Sequence, residues 1–249
     1  MAEEKQTKLE DLSQEDLVRF IINMANRAAV HNTLWFREVE HQLGMKPALN
    51  ALEAVTEKYN RIEMDRLGKA LGFEVKDGIP APLLEIPQEK LVELTGELGK
   101  NWLAQDGLWF QEVEKHYGMN DAKRCNDSCW HRFSQVEARM IKSFLGLPER
   151  AGLEGLKQAL SFRMYARINV QSIIEESTGS IVFQMNDCRV QSARKRKGMA
   201  DYPCKSAGLV EYGRFATEID DRIKTECVGC PPDEHPEEWF CAWRFTLDS

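Results

Sequence analysis

Leu34-Trp-Phe-Arg-Glu-Val-Glu40 recurs as Leu108-Trp-Phe-Gln-Glu-Val-Glu114, at an offset of 74 residues. The same offset superposes further residues on both sides of this motif without a gap: Leu17 on Leu91, Gly44 on Gly118, Glu63 on Glu137 and Gly72 on Gly146. One register held across most of the first 150 residues indicates an internal duplication. The motif therefore decides the fold of this part of the chain, because both copies are expected to form the same structure.

Each copy has the pattern of a helical hairpin. Helix starts are indicated by Ser13 in the first copy and by Pro87 in the second, and glycines are placed to end each helix. Neither hairpin can cover its own apolar stripe. Residues 1–150, with hairpins at about 12–73 and 86–147, are therefore predicted to form a four-helix bundle.

Polar residues lie on the apolar stripe of these helices. The core positions of each first helix are spaced alternately by three and four residues. Trp35 and Glu38 fall in this series in the first copy, and Trp109 and Glu112 fall in it in the second, so they share a face with the core positions. A glutamate on such a face needs a partner. Three interpretations remain open: hydrogen bonding to arginines that fixes the hairpins, a ferritin-like two-metal site, and a ligand pocket. We assign the four residues to a candidate ligand site.

The pattern changes after residue 150. Alternating apolar and polar residues predict strands over 162–170 and 180–186, and two closing strands over 222–227 and 239–247. Helices are expected between the second and third strands. Residues 151–249 are therefore predicted to form an α+β domain on a mostly antiparallel sheet, which makes the whole chain α+β.

Five of the seven cysteines fall in this C-terminal domain, and Cys227-Val-Gly-Cys230 is the closest pair in sequence. A glycine inside a Cys-x-x-Cys turn lets both sulfurs face one point, and Cys188 and Cys204 can complete a tetrahedral site. We therefore predict that Cys188, Cys204, Cys227 and Cys230 bind zinc or iron. A redox or nucleophilic thiol and plain core packing remain open as alternatives.

Composition limits the classes of function. The 249 residues are 43% hydrophobic and 29% charged, as in globular proteins, and a net charge of −7 argues against general nucleic-acid binding. The polar N-terminus lacks the apolar stretch of a signal peptide, and no run of apolar residues is long enough to span a membrane. We therefore expect a cytoplasmic protein with a small-molecule ligand and no membrane or nucleic-acid partner. A homodimer remains open.

Four C-terminal motifs carry a resemblance to a known family: Asn186-Asp-Cys-Arg-Val-Gln191, Phe215-Ala-Thr217, Cys227-Val-Gly-Cys-Pro-Pro-Asp233 and Trp239-Phe-Cys-Ala-Trp-Arg-Phe-Thr246. Together with the duplicated motif, they resemble a bacterial cytosolic family with a Cys-rich C-terminal domain, over nearly the whole chain. That family is similar to L-2-amino-thiazoline-4-carboxylate hydrolase-like proteins and, more distantly, to vinyl-reductase-type domains. The resemblance implies small-molecule binding and a zinc ion held by cysteines.

Two functions are consistent with these patterns. The first is metal-assisted hydrolysis of a carbon–nitrogen or carbon–sulfur bond in a small heterocycle, with a metal-bound water as the nucleophile. His235 or Asp233 would carry the proton, so both are candidate catalytic residues. The alternative is a non-catalytic ligand- or redox-sensing protein in which thiolates form a closed structural metal site. The sequence leaves open whether this protein is an enzyme.

Overall fold

The computed structural model describes residues 8–198 and 201–247. The hairpin region consists of long helices: α1 (Gln14–Leu43), α2 (Met45–Leu71), α4 (Gln88–Tyr117) and α5 (Met119–Leu145). The chain forms two compact units that divide after Pro82, which we call the N-terminal and C-terminal units. The domain boundary expected near residue 150 stays a prediction. None of the helices within the described ranges is long and apolar enough to cross a membrane.

The predicted duplication is confirmed by the bounds of the helices. The two helices of the second hairpin begin and end 74 residues after those of the first. Gly44 and Gly118 join the helices of each hairpin with φ angles of 92° and 86°, a region that favours glycine. Ser13 caps α1 by accepting a hydrogen bond from the backbone N–H of Asp16. The local signals in the sequence therefore predicted each hairpin with its turn.

The N-terminal unit consists of the first hairpin and a small strand pair. The hairpin buries Ala48 and Leu49 of α2, whereas α1 has no buried residue. The strands β1 (Val75–Lys76) and β2 (Ile79–Pro80) pair antiparallel, and the short helix α3 (Ala81–Leu84) follows them.

The C-terminal unit contains the second hairpin and a four-stranded antiparallel sheet, which confirms the mostly antiparallel sheet predicted for this part of the chain. After α6 (Gly152–Ser161) come β3 (Val170–Ser177), β4 (Ser180–Asp187), α7 (Arg189–Arg196), α8 (Lys205–Ile219), β5 (Lys224–Gly229) and β6 (Cys241–Thr246). The strand order is β3-β4-β6-β5. The strand predicted over 162–170 is wrong. Met164–Arg167 forms a 3-10 turn instead, because the side chain of Arg163 points into the protein interior.

Helix α8 packs against one face of the sheet, and α5 packs against α8. The ring of Tyr212 on α8 stacks on Trp243 of β6 with 4.8 Å between centroids. Gly208 lies so close to Trp243 that a Cβ atom there would be 2.4 Å from the indole ring. A glycine is therefore required at this crossing, and it sets the distance of α8 from the sheet.

A buried arginine ties three segments of the C-terminal unit together. Nε of Arg163 donates a hydrogen bond of 2.8 Å to Glu137 on α5, and its Nη2 lies 2.7 Å from Oε1 of Glu211 on α8. The second contact is an ion pair without the alignment of a hydrogen bond. The other oxygen of Glu137 accepts the backbone N–H of Met164 at 3.0 Å. Only 1% of Arg163 is exposed, so its charge depends on these two carboxylates.

We expect Arg163→Met to lower the free energy of unfolding by about 3–5 kcal/mol, because two buried carboxylates lose their counter-charge. Arg150→Met is the control, since Arg150 forms an exposed ion pair with Asp221 that solvent screens, and its loss is expected to change the free energy of unfolding far less. Urea denaturation followed by circular dichroism measures both values. Similar small losses in the two variants would show that Arg163 does not hold the unit together.

Candidate functional site

Two cysteines of the sheet face helix α8. In the strand register Cys227 of β5 pairs with Trp243 of β6, so their side chains share one face of the sheet. Cys241 lies two residues before Trp243 on the same strand and therefore points to that face as well. Because Trp243 stacks on Tyr212 of α8, the thiols of Cys227 and Cys241 lie between the sheet and the helices.

The other three thiols come from the ends of neighbouring elements. Cys188 and Cys204 are the N-cap residues of α7 and α8, and the buried Cys230 directly follows β5. All five cysteines belong to or pack against one hydrophobic core. We call Cys188, Cys204, Cys227, Cys230 and Cys241 the thiol cluster. The structure therefore brings together the four cysteines selected from the sequence and adds Cys241, whose position follows from strand alternation.

Cys241 is the centre of the thiol cluster. Burial raises the pKa of Cys188 to about 11 and raises the pKa of Cys204 and Cys227, and the nearby Cys241 adds to each shift. For Cys230 a hydrogen bond with the side chain of Cys241 is the largest cause of a raised pKa, followed by burial. These thiols are therefore protonated at neutral pH, which disfavours the interpretation of a nucleophilic cysteine.

N–H groups point at the sulfurs of Cys188, Cys204 and Cys227, and those near Cys188 are the backbone N–H groups of Val190 and Gln191. The side-chain amide of Gln191 donates a hydrogen bond of 3.1 Å to Sγ of Cys204. It also donates to the carbonyl of Tyr202 and accepts the N–H of that residue, both at 2.8 Å. The backbone N–H of Gly229 lowers the pKa of Cys227, against the larger effect of burial. Such N–H groups favour the thiolate form that a metal needs.

Within residues 8–198 and 201–247, no group of three or more histidine, cysteine, aspartate or glutamate side chains is arranged to hold a metal ion. The donor type nevertheless suits zinc, which prefers thiolates. The metal-ligand role of the four predicted cysteines stays a prediction. In this structure their side chains are neighbours, but the sulfurs are not arranged as the ligands of one metal ion.

A second group of polar side chains adjoins the thiol cluster. The charge of Asp106 on α4 adds to the effect of burial on the pKa of three residues, which are Tyr165 of the 3-10 turn, Tyr202 of the loop before α8, and Glu211 of α8. We call these four residues the acidic cluster. Burial, followed by the charges of Glu211, Asp106, Cys188 and Cys204, raises the pKa of Tyr165. Burial, followed by Cys204, Asp127 and Asp106, raises the pKa of Tyr202. The two clusters are therefore neighbours in one region of the C-terminal unit.

Asp106 is a half-buried carboxylate whose pKa is raised by burial. Within the described part of the chain its side chain has neither a salt bridge nor a hydrogen bond. The hydroxyl of Tyr202 is buried and also has no hydrogen-bond partner among these residues. Of the nearby cations, Arg163 binds Glu137 and Glu211, and Lys123 lies 3.1 Å from Asp127. Lys123 and Arg194 also lie 4.8 and 6.0 Å from the centre of the Tyr202 ring. Within the described residues, the carboxylate of Asp106 and the hydroxyl of Tyr202 are the groups of this cluster that lack a hydrogen-bond partner.

Aromatic rings surround the acidic cluster. Tyr165 stacks on the buried Trp130 at 5.5 Å and meets the edge of Trp102 at 4.9 Å. Phe110 of α4 contacts Tyr202 edge to face at 5.2 Å. Trp130 and Trp102 replace Thr56 and Ala28 of the first copy, so this aromatic group is a specialisation of the second hairpin.

The candidate catalytic residue Asp233 adjoins the thiol cluster, because its backbone N–H donates a hydrogen bond of 3.0 Å to the carbonyl of Cys230, and its charge adds to the effect of burial on the pKa of Cys227. Asp233 forms an ion pair of 2.6 Å with Lys205, and Nε2 of His235 lies 3.2 Å from Asp201. Their catalytic role stays a prediction.

The four hairpin residues of the candidate ligand site are exposed on their helices. Trp35 and Trp109 are 60% and 70% exposed. Glu38 accepts a hydrogen bond from Gln42, and Glu112 contacts His116 at 2.8 Å. Their ligand-binding role also stays a prediction. Sequence reasoning missed Asp106, Tyr165 and Tyr202, because nothing in their spacing brings α4, the 3-10 turn and the loop before α8 together.

Residues 8–86 and 84–247 match the model of a family described as "Family of unknown function (DUF6125)". The search of curated proteins finds no match. Among solved structures, the crystal structure of the phenol-responsive sensory domain of the transcription activator PoxR with phenol is 15% identical and covers 61% of this chain and 74% of that chain, with a TM-score of 0.37. A similarity this low carries no argument. The resemblance to hydrolase-like proteins and vinyl-reductase-type domains is tested by none of these matches and stays a prediction.

We expect iodoacetamide to modify the exposed Cys125 before any member of the thiol cluster at neutral pH. The thiolate is the reacting form, and a pKa of about 11 leaves little of it at Cys188, so modification there should accelerate as the pH rises. Peptide mass spectrometry over a time course measures each site, with the denatured chain as control. Rapid modification of Cys188 or Cys230 at neutral pH would favour a nucleophilic thiol and contradict this description.

Proposed function

The chain belongs to the DUF6125 family, and from the geometry of its C-terminal unit we propose that it is a small-molecule-binding protein whose ligand site is the acidic cluster. The observation that carries the proposal is that a half-buried carboxylate, Asp106, and a buried hydroxyl, Tyr202, both lack a hydrogen-bond partner among the described residues, while the charge of Asp106 adds to the effect of burial on the pKa of Tyr202. Leaving such groups without partners costs free energy, and a ligand that supplies them regains it.

The chemistry of the cluster selects a cationic ligand. Asp106, Glu211 and the two tyrosines present oxygen atoms, whereas Arg163 and Lys123 are neutralised by carboxylates of their own. Aromatic rings near the cluster, such as that of Phe110, suit an organic cation, because a ring face attracts positive charge. We therefore assign the site to a small aromatic or aliphatic amine, which donates to Asp106 and packs on these rings.

We expect the reduced full-length chain to bind benzylamine at least about tenfold more tightly than benzyl alcohol, which has the same shape without the charge. Asp106→Asn should remove most of this preference, and Glu97→Gln, at an exposed position on the same helix, should leave it unchanged. Titration calorimetry measures all three proteins. Equal binding of the two probes, or an unchanged preference in Asp106→Asn, would exclude this ligand class.

The same site predicts a pH dependence. Burial raises the pKa of Asp106, so its carboxylate takes up a proton at a higher pH than an ordinary aspartate does. Amine binding should therefore weaken as the pH falls through that range, where Asp106 becomes neutral while the amine stays charged.

A second candidate function, zinc binding by the thiol cluster, is favoured by the convergence of four thiols on Cys241. Cysteine sulfurs move with a single χ1 rotation, so ligand geometry can form when the ion binds. Zinc bound there would supply a structural centre or an acidic water. Hydrolysis stays a competing prediction, in which His235 and Asp233 would first have to leave Asp201 and Lys205.

We expect the reduced chain to bind zinc and to release protons as it does so, because the thiols are protonated beforehand. Affinity should rise with pH. Cys241→Ser should weaken zinc binding by about tenfold or more by removing the central sulfur, and Cys125→Ser, outside the cluster, should have no effect. Competition with a chromophoric chelator measures affinity, and alkylation measures which thiols the ion protects. Zinc binding that is equal in Cys241→Ser would exclude a site centred on that residue.

A further inference from the structure

Two cysteines lie directly opposite each other at the end of the β5–β6 strand pair. The last paired residues are Gly229 of β5 and Ala242 of β6. Cys230 follows Gly229 and Cys241 precedes Ala242, so the antiparallel register continues with these two cysteines as the next pair. Opposite residues of antiparallel strands point to the same side of the sheet, with Cα atoms about 4.5–5.5 Å apart. A disulfide needs a Cα separation of about 4.4–6.8 Å, so opposed positions of this kind meet its requirement.

The side chains of the two cysteines are also in contact. The side chain of Cys230 is hydrogen-bonded to that of Cys241, which brings the two sulfurs together. Cys230 is buried, with 1% of its surface exposed, whereas Cys241 is half-buried. A small oxidant therefore reaches the sulfur of Cys241 first, and the sulfur of Cys230 is already beside it.

Cys227 is the nearest cysteine to Cys230 in sequence, but the strand register gives it a different partner. Cys227 is opposite Trp243, and the register shifts between Cys227 and Gly229. A hydrogen bond joins Cys230 to Cys241, whereas Cys227 influences Cys230 through its charge. The pair across the two strands is therefore favoured over a link within the Cys-x-x-Cys motif.

We propose that Cys230 and Cys241 form a reversible oxidation site, which a peroxide converts into a disulfide across the end of the sheet. The sulfur of Cys241 attacks one oxygen of hydrogen peroxide, the O–O bond breaks, and a sulfenic acid and one water form. The sulfur of Cys230 then displaces the hydroxyl group of the sulfenic acid, so that the S–S bond forms and a second water leaves. The two sulfurs together lose two electrons, the peroxide gains them, and the two thiol protons leave in the two waters.

The disulfide changes both the loop that follows β5 and the thiol cluster. It joins the two ends of the loop of residues 231–240, which carries Asp233 and His235. It also takes Cys230 and Cys241 out of the thiol cluster, so the oxidised chain should no longer hold zinc there. This last consequence rests on the proposed zinc binding, whereas the disulfide itself needs no metal.

The test is oxidation of the folded full-length chain by hydrogen peroxide in the presence of a metal chelator. Free thiols are then alkylated in denaturant, and peptides are identified by mass spectrometry. Cleavage after glutamate separates Cys230 from Cys241, because Glu234, Glu237 and Glu238 lie between them. We expect these two peptides, joined by a disulfide, to be the main cross-link in the thiol cluster, and we expect dithiothreitol to restore both thiols.

Two variants, each checked for folding by circular dichroism, identify the linked cysteines. Cys227→Ser should keep the link, although Cys227 shares a peptide with Cys230. Cys230→Ser should lose the link and leave a sulfenic acid at Cys241, which dimedone traps. The chain oxidised in urea is the control and should give a mixture of cysteine pairings, because it lacks the strand register.

Three outcomes would each overturn the proposal: a wild type without the link, a different main pair of cysteines in the thiol cluster, or loss of the link in a folded Cys227→Ser. Neither zinc nor an amine is present in this experiment. Its failure is therefore separate from a failure of the proposed ligand or zinc binding.

Discussion

The C-terminal unit depends on one buried cation. Arg163 is almost completely inaccessible to water and holds Glu137 of α5 and Glu211 of α8 on its two sides, while its ring neighbours Tyr212 and Phe215 cover the guanidinium at 5.4 and 4.7 Å. An uncompensated charge in this position would be strongly unfavourable. The three segments therefore adopt the arrangement in which Arg163 is paired with both Glu137 and Glu211. That arrangement fixes α8 relative to α5, while the contact of Gly208 with Trp243 fixes α8 relative to the sheet.

Both candidate sites follow from the position of α8. Its N-cap, Cys204, belongs to the thiol cluster, and Glu211, two turns further along, belongs to the acidic cluster. Tyr165 lies between them, since its pKa is raised by Glu211 and Asp106 from one cluster and by Cys188 and Cys204 from the other. A cation bound at either cluster would change the electrostatic potential at the other.

The duplication gave the two hairpins the same backbone and different surroundings. Their helix bounds and glycine turns coincide under one offset, yet the second copy has gained Trp102 and Trp130 and buries them against Tyr165, whereas α1 of the first copy buries nothing. Backbone geometry is set by local sequence signals that both copies share. Burial is set by the elements that pack against each copy.

The sequence by itself determined the long helices, their turns and the mostly antiparallel sheet. Periodicity, capping residues and glycine positions act within a few residues, so they are readable from the chain. Tertiary structure decided which segments contact one another. The alternation over 162–170 predicted a strand. In the structure the side chain of Arg163 instead forms buried ion pairs with two carboxylates that are distant in sequence, and Met164–Arg167 forms a 3-10 turn. Asp106, Tyr202 and Cys241 gained their roles in the same way, because burial and electrostatic partners arise from contacts between segments far apart in sequence.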